Sequence, residues 1–173
     1  LNGRDLFTGK VETRVIEEQM VIALDKLRLA MEQAGSSLSN LVETMIYIKN
    51  LGDYPRMRTA EVKYYQKHAP ILVEEPPASS CLNPPSLGDS DYLVEIDAVG
   101  VISREEVGWE VKKNPMYYLG VRQTYPNIGI DEAQFSRTTT VGNLIFLSGM
   151  AGRSPTTGKV VETNLVEEHL VIA

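Results

Sequence analysis

VETRVIEEQMVIALDKLRLAMEQAGSSLSNLVETMIYIKN, residues 11–50, carries two different periodicities in one stretch. From Val15 to Ala34 the positions Ile16, Met20, Ala23, Leu24, Leu27, Met31 and Ala34 recur every three or four residues, with Glu17, Glu18, Asp25, Lys26 and Arg28 on the polar flank. Such a stripe predicts a helix with one face on a core, and Gly35 supplies its stop. After the turn at Ser36 and Ser37, residues 42–50 hold Met45, Tyr47 and several β-branched residues, and read as a strand.

Outward from this pair, Met57, Ala60 and Tyr64 fall at turn spacing and predict a second helix from Tyr54 to His68, closed by Pro70. PPASSCLNPPSLG (76–88) reads as a short strand set among prolines. DYLVEIDAVGVIS (91–103) is a strand in which Leu93, Glu95, Asp97 and Val99 share one face, while Val94, Ile96, Ala98 and Gly100 share the other. Residues 104–134 form a connector rich in Gly, Pro and aromatics (Trp109, Tyr117, Tyr118, Tyr125), too apolar for a free linker and expected to pack. FSRTTTVGNLIFLSG (135–149) reads as a hairpin turning at Gly142-Asn143.

The chain also repeats itself. LNGRDLFTGKVETRVIEEQMVIA (1–23) returns as MAGRSPTTGKVVETNLVEEHLVIA (150–173), with Gly3 matching Gly152, Gly9 matching Gly158, and Glu17 matching Glu167 after one inserted residue. Two partial copies of one unit are therefore expected, cut from a longer tandem protein. The helix should restart at Asn164, where Asn164 and Glu167 have capping-box spacing. Leu1 stands where an initiating Met would, so the natural N-terminus is expected upstream.

Composition narrows the function classes. The 173 residues are 43% hydrophobic, and 17 basic against 23 acidic side chains give a net charge of −6. That charge repels a phosphate backbone unless basic residues segregate, and no Lys/Arg block exists. A lone Cys81 excludes an internal disulfide, and His68 and His169 are too far apart for a local metal pair, so no metal or cofactor is expected. No apolar run approaches the 18 or so residues of a membrane span. The expected setting is cytoplasmic, with neither membrane nor nucleic acid as partner.

Several residues could carry chemistry. Glu95 and Asp97 present two carboxylates from one strand face, a spacing suited to water activation; a solvated sheet face is the commoner setting. Cys81 has no sequence-local base to activate it and reads as a buried thiol. His68 suits the negative end of its helix. Arg4 and Arg153, equivalents in the repeat, could each grip a carboxylate, although most such loop arginines are solvated. The pairs Tyr64-Tyr65 and Tyr117-Tyr118 read as core or interface. Walker, G-x-G-x-x-G, G-x-S-x-G and H-E-x-x-H motifs are absent from the sequence.

Taken in order, SG after a hairpin, TGKVET, EEQ, a long helix ending AGSSLSNLVETMIYIKNL, a second helix, PPASSC and YLVEIDAVG resemble the RidA (YjgF) family. On that resemblance, 1–103 is a domain lacking its first hairpin, 104–134 a connector, and 135–173 the opening of a second copy; 135–149 joined to 1–103 makes one complete domain. The resemblance implies an α+β fold of the chorismate-mutase-like type, a mixed sheet with two helices on one face. It also implies three domains packed into a barrel, as a homotrimer or pseudo-trimer, with ligand clefts between neighbours. Family members hydrolyse reactive enamines and imines to a carbonyl product and ammonia without a cofactor. In them an arginine after Pro-Ala binds the substrate carboxylate, a glutamate on the last strand places water, and a tyrosine, a serine and an asparagine complete the cleft. Glu95 matches the glutamate, Ser148, beside Gly149, the serine, and Cys81 a cysteine of the cleft. Ser79 stands at the arginine position, Phe135 at the tyrosine and Arg58 at the asparagine. The implied catalytic residue is Glu95, with Arg58, Ser79, Cys81, Phe135, Ser148 and Gly149 around the substrate. A binding module that has lost turnover is the alternative, and the acidic balance makes a ribonuclease the least supported. A missing edge in the 1–103 unit predicts that 137–148 joins the sheet formed by 42–50 and 91–103.

Overall fold

The computed structural model describes residues 1–102, 110–115, 117–118, 121–122, 135–150, 152 and 166. The first helix, α1 (Ile16–Gln33), buries Ile16, Met20, Ala23, Leu24, Leu27 and Met31 of the predicted stripe, leaves Ala34 exposed at its C-cap, and carries Glu17 and Glu18 in its first turn where the helix dipole favours them. It ends in a Schellman arrangement. The Ser36 amide donates to the Met31 carbonyl at 2.8 Å and the Gly35 amide to that of Glu32 at 3.0 Å, with Gly35 at φ +79°, a conformation that costs glycine nothing.

A single 3-10 turn leads into β1 (Leu41–Ile48). Helix α2 (Tyr54–His68) has Pro55 in its first turn, where a missing amide is harmless, and a short α3 (Ile71–Glu74) follows. Two more strands, β2 (Ala78–Leu82) and β3 (Val94–Gly100), complete the part that corresponds to the predicted 1–103 elements. Strand β1 pairs parallel with β2 and antiparallel with β3, so the sheet is mixed.

The remaining strands include β4 (Val111–Pro115) and a separate ribbon of β5 (Tyr117–Tyr118) with β6 (Val121–Arg122). The hairpin is β7 (Ser136–Val141) with β8 (Leu144–Leu147), turning at Gly142, φ +57°. It enters the main sheet, whose order is β3-β1-β2-β7-β4. The contact with β2 is parallel, Ala78 opposite Ser136. Thr140 faces both Lys112 of β4 and Ile145 of β8, so these two strands flank β7 on opposite edges. Ser136 faces both Ala78 and Pro115, which puts β2 on the same edge as β8. The predicted hairpin thus joins the sheet with β2 between it and β1. Within the predicted connector β4 pairs with β7; apart from 110, 117–118 and 121–122 the rest of 104–134, and the predicted helix from Asn164 except Val166, lie outside the described residues.

Helices α1 and α2 pack together on one face of this sheet. Ile46, Ile48, Val94 and Ile96 meet Met20, Leu24, Leu27, Met57 and Tyr65 in a common core, each large apolar side chain stabilising the fold by about 1.5–3 kcal/mol. Among the described residues no helix is long and apolar enough to cross a membrane. A buried amide side chain helps hold this core together. Gln19, fully buried, donates to the carbonyls of Thr13 (2.8 Å) and Asp91 (3.0 Å) and accepts from the Leu93 amide (2.8 Å), tying the approach to β3 onto α1.

Candidate functional site

Strand register sorts the candidate residues by face. Thr44 lies opposite Ser79 and Ile46 opposite Cys81, and the Thr44 hydroxyl donates to Ser79 Oγ at 2.9 Å. Ile46 belongs to the core under the helices, so Ser79 and Cys81 face the helices too. Tyr47 lies opposite Glu95, and Met45 opposite Asp97. Those four occupy the other face, turned away from both helices. Glu95 is therefore separated from Ser79 and Cys81 by the thickness of the sheet.

On the helix side the centre is Arg58. It projects from the buried stripe of α2 and is only 1% exposed. Its Nη1 donates to Glu61 Oε2 at 2.6 Å and its Nη2 to Ser79 Oγ at 3.0 Å. The Glu61 carboxylate is as buried as the guanidinium, and its second oxygen accepts from the Tyr65 hydroxyl at 3.3 Å. Two rings flank the cation, Tyr54 at 5.2 Å and Phe135 at 6.0 Å from Cζ, distances at which a ring quadrupole attracts a guanidinium. Arg58 Nε is buried without a hydrogen-bond partner among the described residues. Burial works against the Arg58 charge, yet Glu61 and then the Tyr54 hydroxyl outweigh it, and the pKa is raised above the ordinary arginine value. The cation is permanent.

Ser148 and Gly149 reach the same end of β2 through the backbone. The Ser79 amide donates to Ser148 Oγ at 2.8 Å, and that hydroxyl donates onward to the Ser136 carbonyl at 2.5 Å. The Gly149 amide donates to Ser80 Oγ at 2.8 Å. The serine thus stitches β2 to the hairpin and spends its proton doing so. Cys81 is half-buried beside this cluster; burial pushes its thiol pKa up, Arg58 pulls it down in part, and Glu61 adds to the rise. A thiol held protonated at neutral pH is a poor nucleophile.

Arg58, Ser79, Cys81, Phe135 and Ser148 therefore come together, from three distant stretches of sequence, while Gly149 contacts Ser80, which the register turns to the opposite face. Glu95 does not join them. Its Oε2 accepts from the Gly88 amide at 3.3 Å, and Asn2 bridges to it along the free edge of β3. Next to it, burial first and then the Asp97 and Glu95 carboxylates raise the pKa of the Tyr47 phenol. The other candidates have local partners. Arg4 reaches Asp89 at 3.6 Å, and His68 stacks on Tyr64 with ring centroids 4.3 Å apart. Arg153 and His169 lie outside the described residues.

Sequence reasoning missed Glu61. Its signal was present: Met57, Arg58, Glu61, Tyr64 and Tyr65 share the buried stripe of α2, so a charged pair at i and i+3 falls where an apolar one is expected.

Comparison with known proteins bears on this arrangement. A RutC family protein from Pyrococcus abyssi is 28% identical over 94 residues, covering 53% of this chain and 66% of that protein. The 2-iminobutanoate/2-iminopropanoate deaminase of Escherichia coli is 27% identical over 94 residues, covering 54% of this chain and 69% of that one. The chain thus spans about two thirds of the length of these relatives. The crystal structure of the Escherichia coli YjgF gene product superposes with a TM-score of 0.52 at 24% identity, covering 58% of this chain and 74% of the other. A conserved Rid family protein from Yersinia pestis gives 0.50 at 25% identity, over 58% and 75%. The mixed sheet with both long helices on one face is the fold these structures share. Residues 2–102, more than half of the chain, match the family model described as Endoribonuclease L-PSP, and the chain belongs to that family, the RidA (YjgF) family.

Proposed function

We infer that this chain is part of a deaminase that hydrolyses small reactive enamines or imines to a carbonyl product and ammonia. The observation that carries the reading is the gathering of Arg58, Ser79, Cys81, Phe135 and Ser148 at one end of β2, the positions that the family resemblance assigns to its cleft. The deaminase name of the Escherichia coli relative supports the reaction class.

In this reaction a water oxygen bonds to the imine carbon as the π pair moves to nitrogen, which takes one water proton; the tetrahedral carbinolamine then passes its hydroxyl proton to nitrogen and forms the C=O as its C–N bond breaks and ammonia leaves. Glu95 holds and orients the water. Because Glu95 faces away from the Arg58 cluster, one cleft using both takes its Glu95 from a neighbouring copy, and the reading requires an assembly, a homotrimer or a pseudo-trimer of tandem units. The tandem reading of 1–103, 104–134 and 135–173 belongs with it, as does a cytoplasmic setting. No metal or cofactor is needed. The net charge of −6 speaks against a nucleic-acid substrate.

A second reading has its own observation. Ser79 stands at the carboxylate-binding arginine position, and the one guanidinium in the cluster already carries a buried carboxylate partner at 2.6 Å. That pairing favours a binding module without turnover. To decide, ammonia release is followed from freshly generated imines, one set bearing a carboxylate and one lacking it, with the unmodified chain and Glu95→Gln. Release above the uncatalysed rate that Glu95→Gln abolishes supports the deaminase. No release from any imine, with retained ligand binding, supports the module.

A further inference from the structure

We propose that Glu61 sets the charge class of the ligand: with the Arg58 guanidinium already neutralised, the cluster takes uncharged carbonyl or imine compounds and turns away carboxylates. The proposal deepens the deaminase reading and rests on it.

Three features of the pair lead there. A guanidinium recognises a carboxylate through two parallel N–H donors. Here Nη1 donates to Glu61 and Nη2 to Ser79, so both terminal nitrogens of the guanidinium already hold an acceptor. A docking carboxylate would also meet the Glu61 carboxylate, a like charge inside a site where both members of the pair are 2% exposed or less. Each Nη keeps a second N–H, but Nε is the guanidinium nitrogen that is buried with no acceptor at all among the described residues. One N–H suits one carbonyl oxygen or one imine nitrogen, and it asks for no second charge. The walls agree, since the Tyr54 and Phe135 rings on the guanidinium are half-buried surfaces that favour an apolar ligand body.

Ser79 and Arg58 then have a common logic. A serine at the strand position leaves room for the helix arginine to reach β2, and its hydroxyl accepts one guanidinium donor at 3.0 Å. Glu61, one turn on, removes the charge selectivity that a free guanidinium would confer.

The test compares pyruvate with pyruvamide, the keto products of a charged and an uncharged imine, by titration of the full chain followed by calorimetry and NMR. Pyruvamide is expected to bind at least ten-fold more tightly than pyruvate. In Glu61→Gln the order should reverse, with pyruvate gaining ten-fold or more and pyruvamide changing little. Pyruvate binding as well as pyruvamide, or neither binding, in the unmodified chain overturns the proposal. So does a folded Glu61→Gln that gains no pyruvate affinity. Should that variant fail to fold, the unmodified chain decides alone. Ammonia release is read separately, so the deaminase reading can fail while the binding preference stands.

Discussion

Removing the Arg58 charge is the most informative perturbation of the fold. Arg58→Met keeps most of the side-chain volume but leaves Glu61, 1% exposed, with the Tyr65 hydroxyl at 3.3 Å as its hydrogen-bond partner among the described residues. Breaking a buried ion pair from one side costs about 3–5 kcal/mol, a large share of the roughly 5–15 kcal/mol that holds a domain folded. Glu61→Leu strands the guanidinium instead and should cost a similar amount, because Ser79 supplies one neutral acceptor and the rings only a weak attraction. The double variant Arg58→Met/Glu61→Leu strands nothing. Replacing a buried pair by apolar side chains of similar size is commonly neutral or even stabilising, so the double variant should lie within about 1 kcal/mol of the unmodified chain while the singles together lose roughly 6–10. Ser79 tolerates the change, since the Thr44 hydroxyl still donates to it at 2.9 Å. Urea unfolding followed by circular dichroism reads the midpoints, with a constant slope as the condition for comparing them. Additive losses, with the double variant the least stable of the three, would refute the buried-pair reading and the electrostatic argument built on it.

Other consequences can be checked independently. A Cβ on Gly3 would collide with the buried Gln19 side chain, so Gly3→Ala should cost about 1–3 kcal/mol and lower the thermal midpoint, whereas Gly9→Ala, with open space but φ +68°, should cost less. For Cys81 the sign follows from its raised pKa: below that value the thiol is protonated, so alkylation by iodoacetamide should be slow at pH 8 and climb through the alkaline range. Glu61→Gln, which deletes a group that raises the pKa and keeps Arg58, should move the rate profile to lower pH; a profile that stays put counts against that coupling. Restoring the family pattern with Ser79→Arg and Arg58→Asn together should raise keto-acid release from 2-iminopropanoate, and Ser79→Arg alone should not, because Ser79 is 4% exposed and Arg58 already fills the space. A monomeric mass by light scattering at micromolar concentration would count against the proposed assembly.

The elements themselves were legible because each obeys its own period. Helix α1 differs from its expected span by one residue at each end, and α2 not at all, since Gly35 and Pro70 punctuate the chain and the apolar stripe decides the rest. The alternation in β3 was read correctly as well, with Val94 and Ile96 inside and Glu95 and Asp97 outside. What periodicity cannot supply is register between strands. That Ser79 sits opposite Thr44, and Tyr47 opposite Glu95, depends on how β1 is flanked, and this alone divides the candidate residues between two faces. Ser148 illustrates the same limit. Its hydroxyl bridges Ser79 and Ser136, a contact across 69 residues of chain that no local pattern announces.

The two faces of the sheet also differ in what they demand. Under the helices Arg58, Glu61, Ser79 and Thr44 are buried and join in one connected hydrogen-bond network that leaves only Arg58 Nε without a partner among these groups. On the opposite face Leu82, across Tyr47 from Glu95, and Val99, two residues along from Asp97, remain 49% and 39% exposed. An apolar strand surface next to two acids is a poor end state for an isolated chain and a suitable one for a face that meets another copy. If that copy brings its own Arg58 cluster toward this Glu95, the carboxylate and the cluster need not share a chain. The split that separates them within one chain would then be the geometry that joins them between two. Mixing an Arg58→Met chain with a Glu95→Gln chain tests this directly: activity regained in mixed assemblies, from two inactive parents, requires that each cleft draw on both.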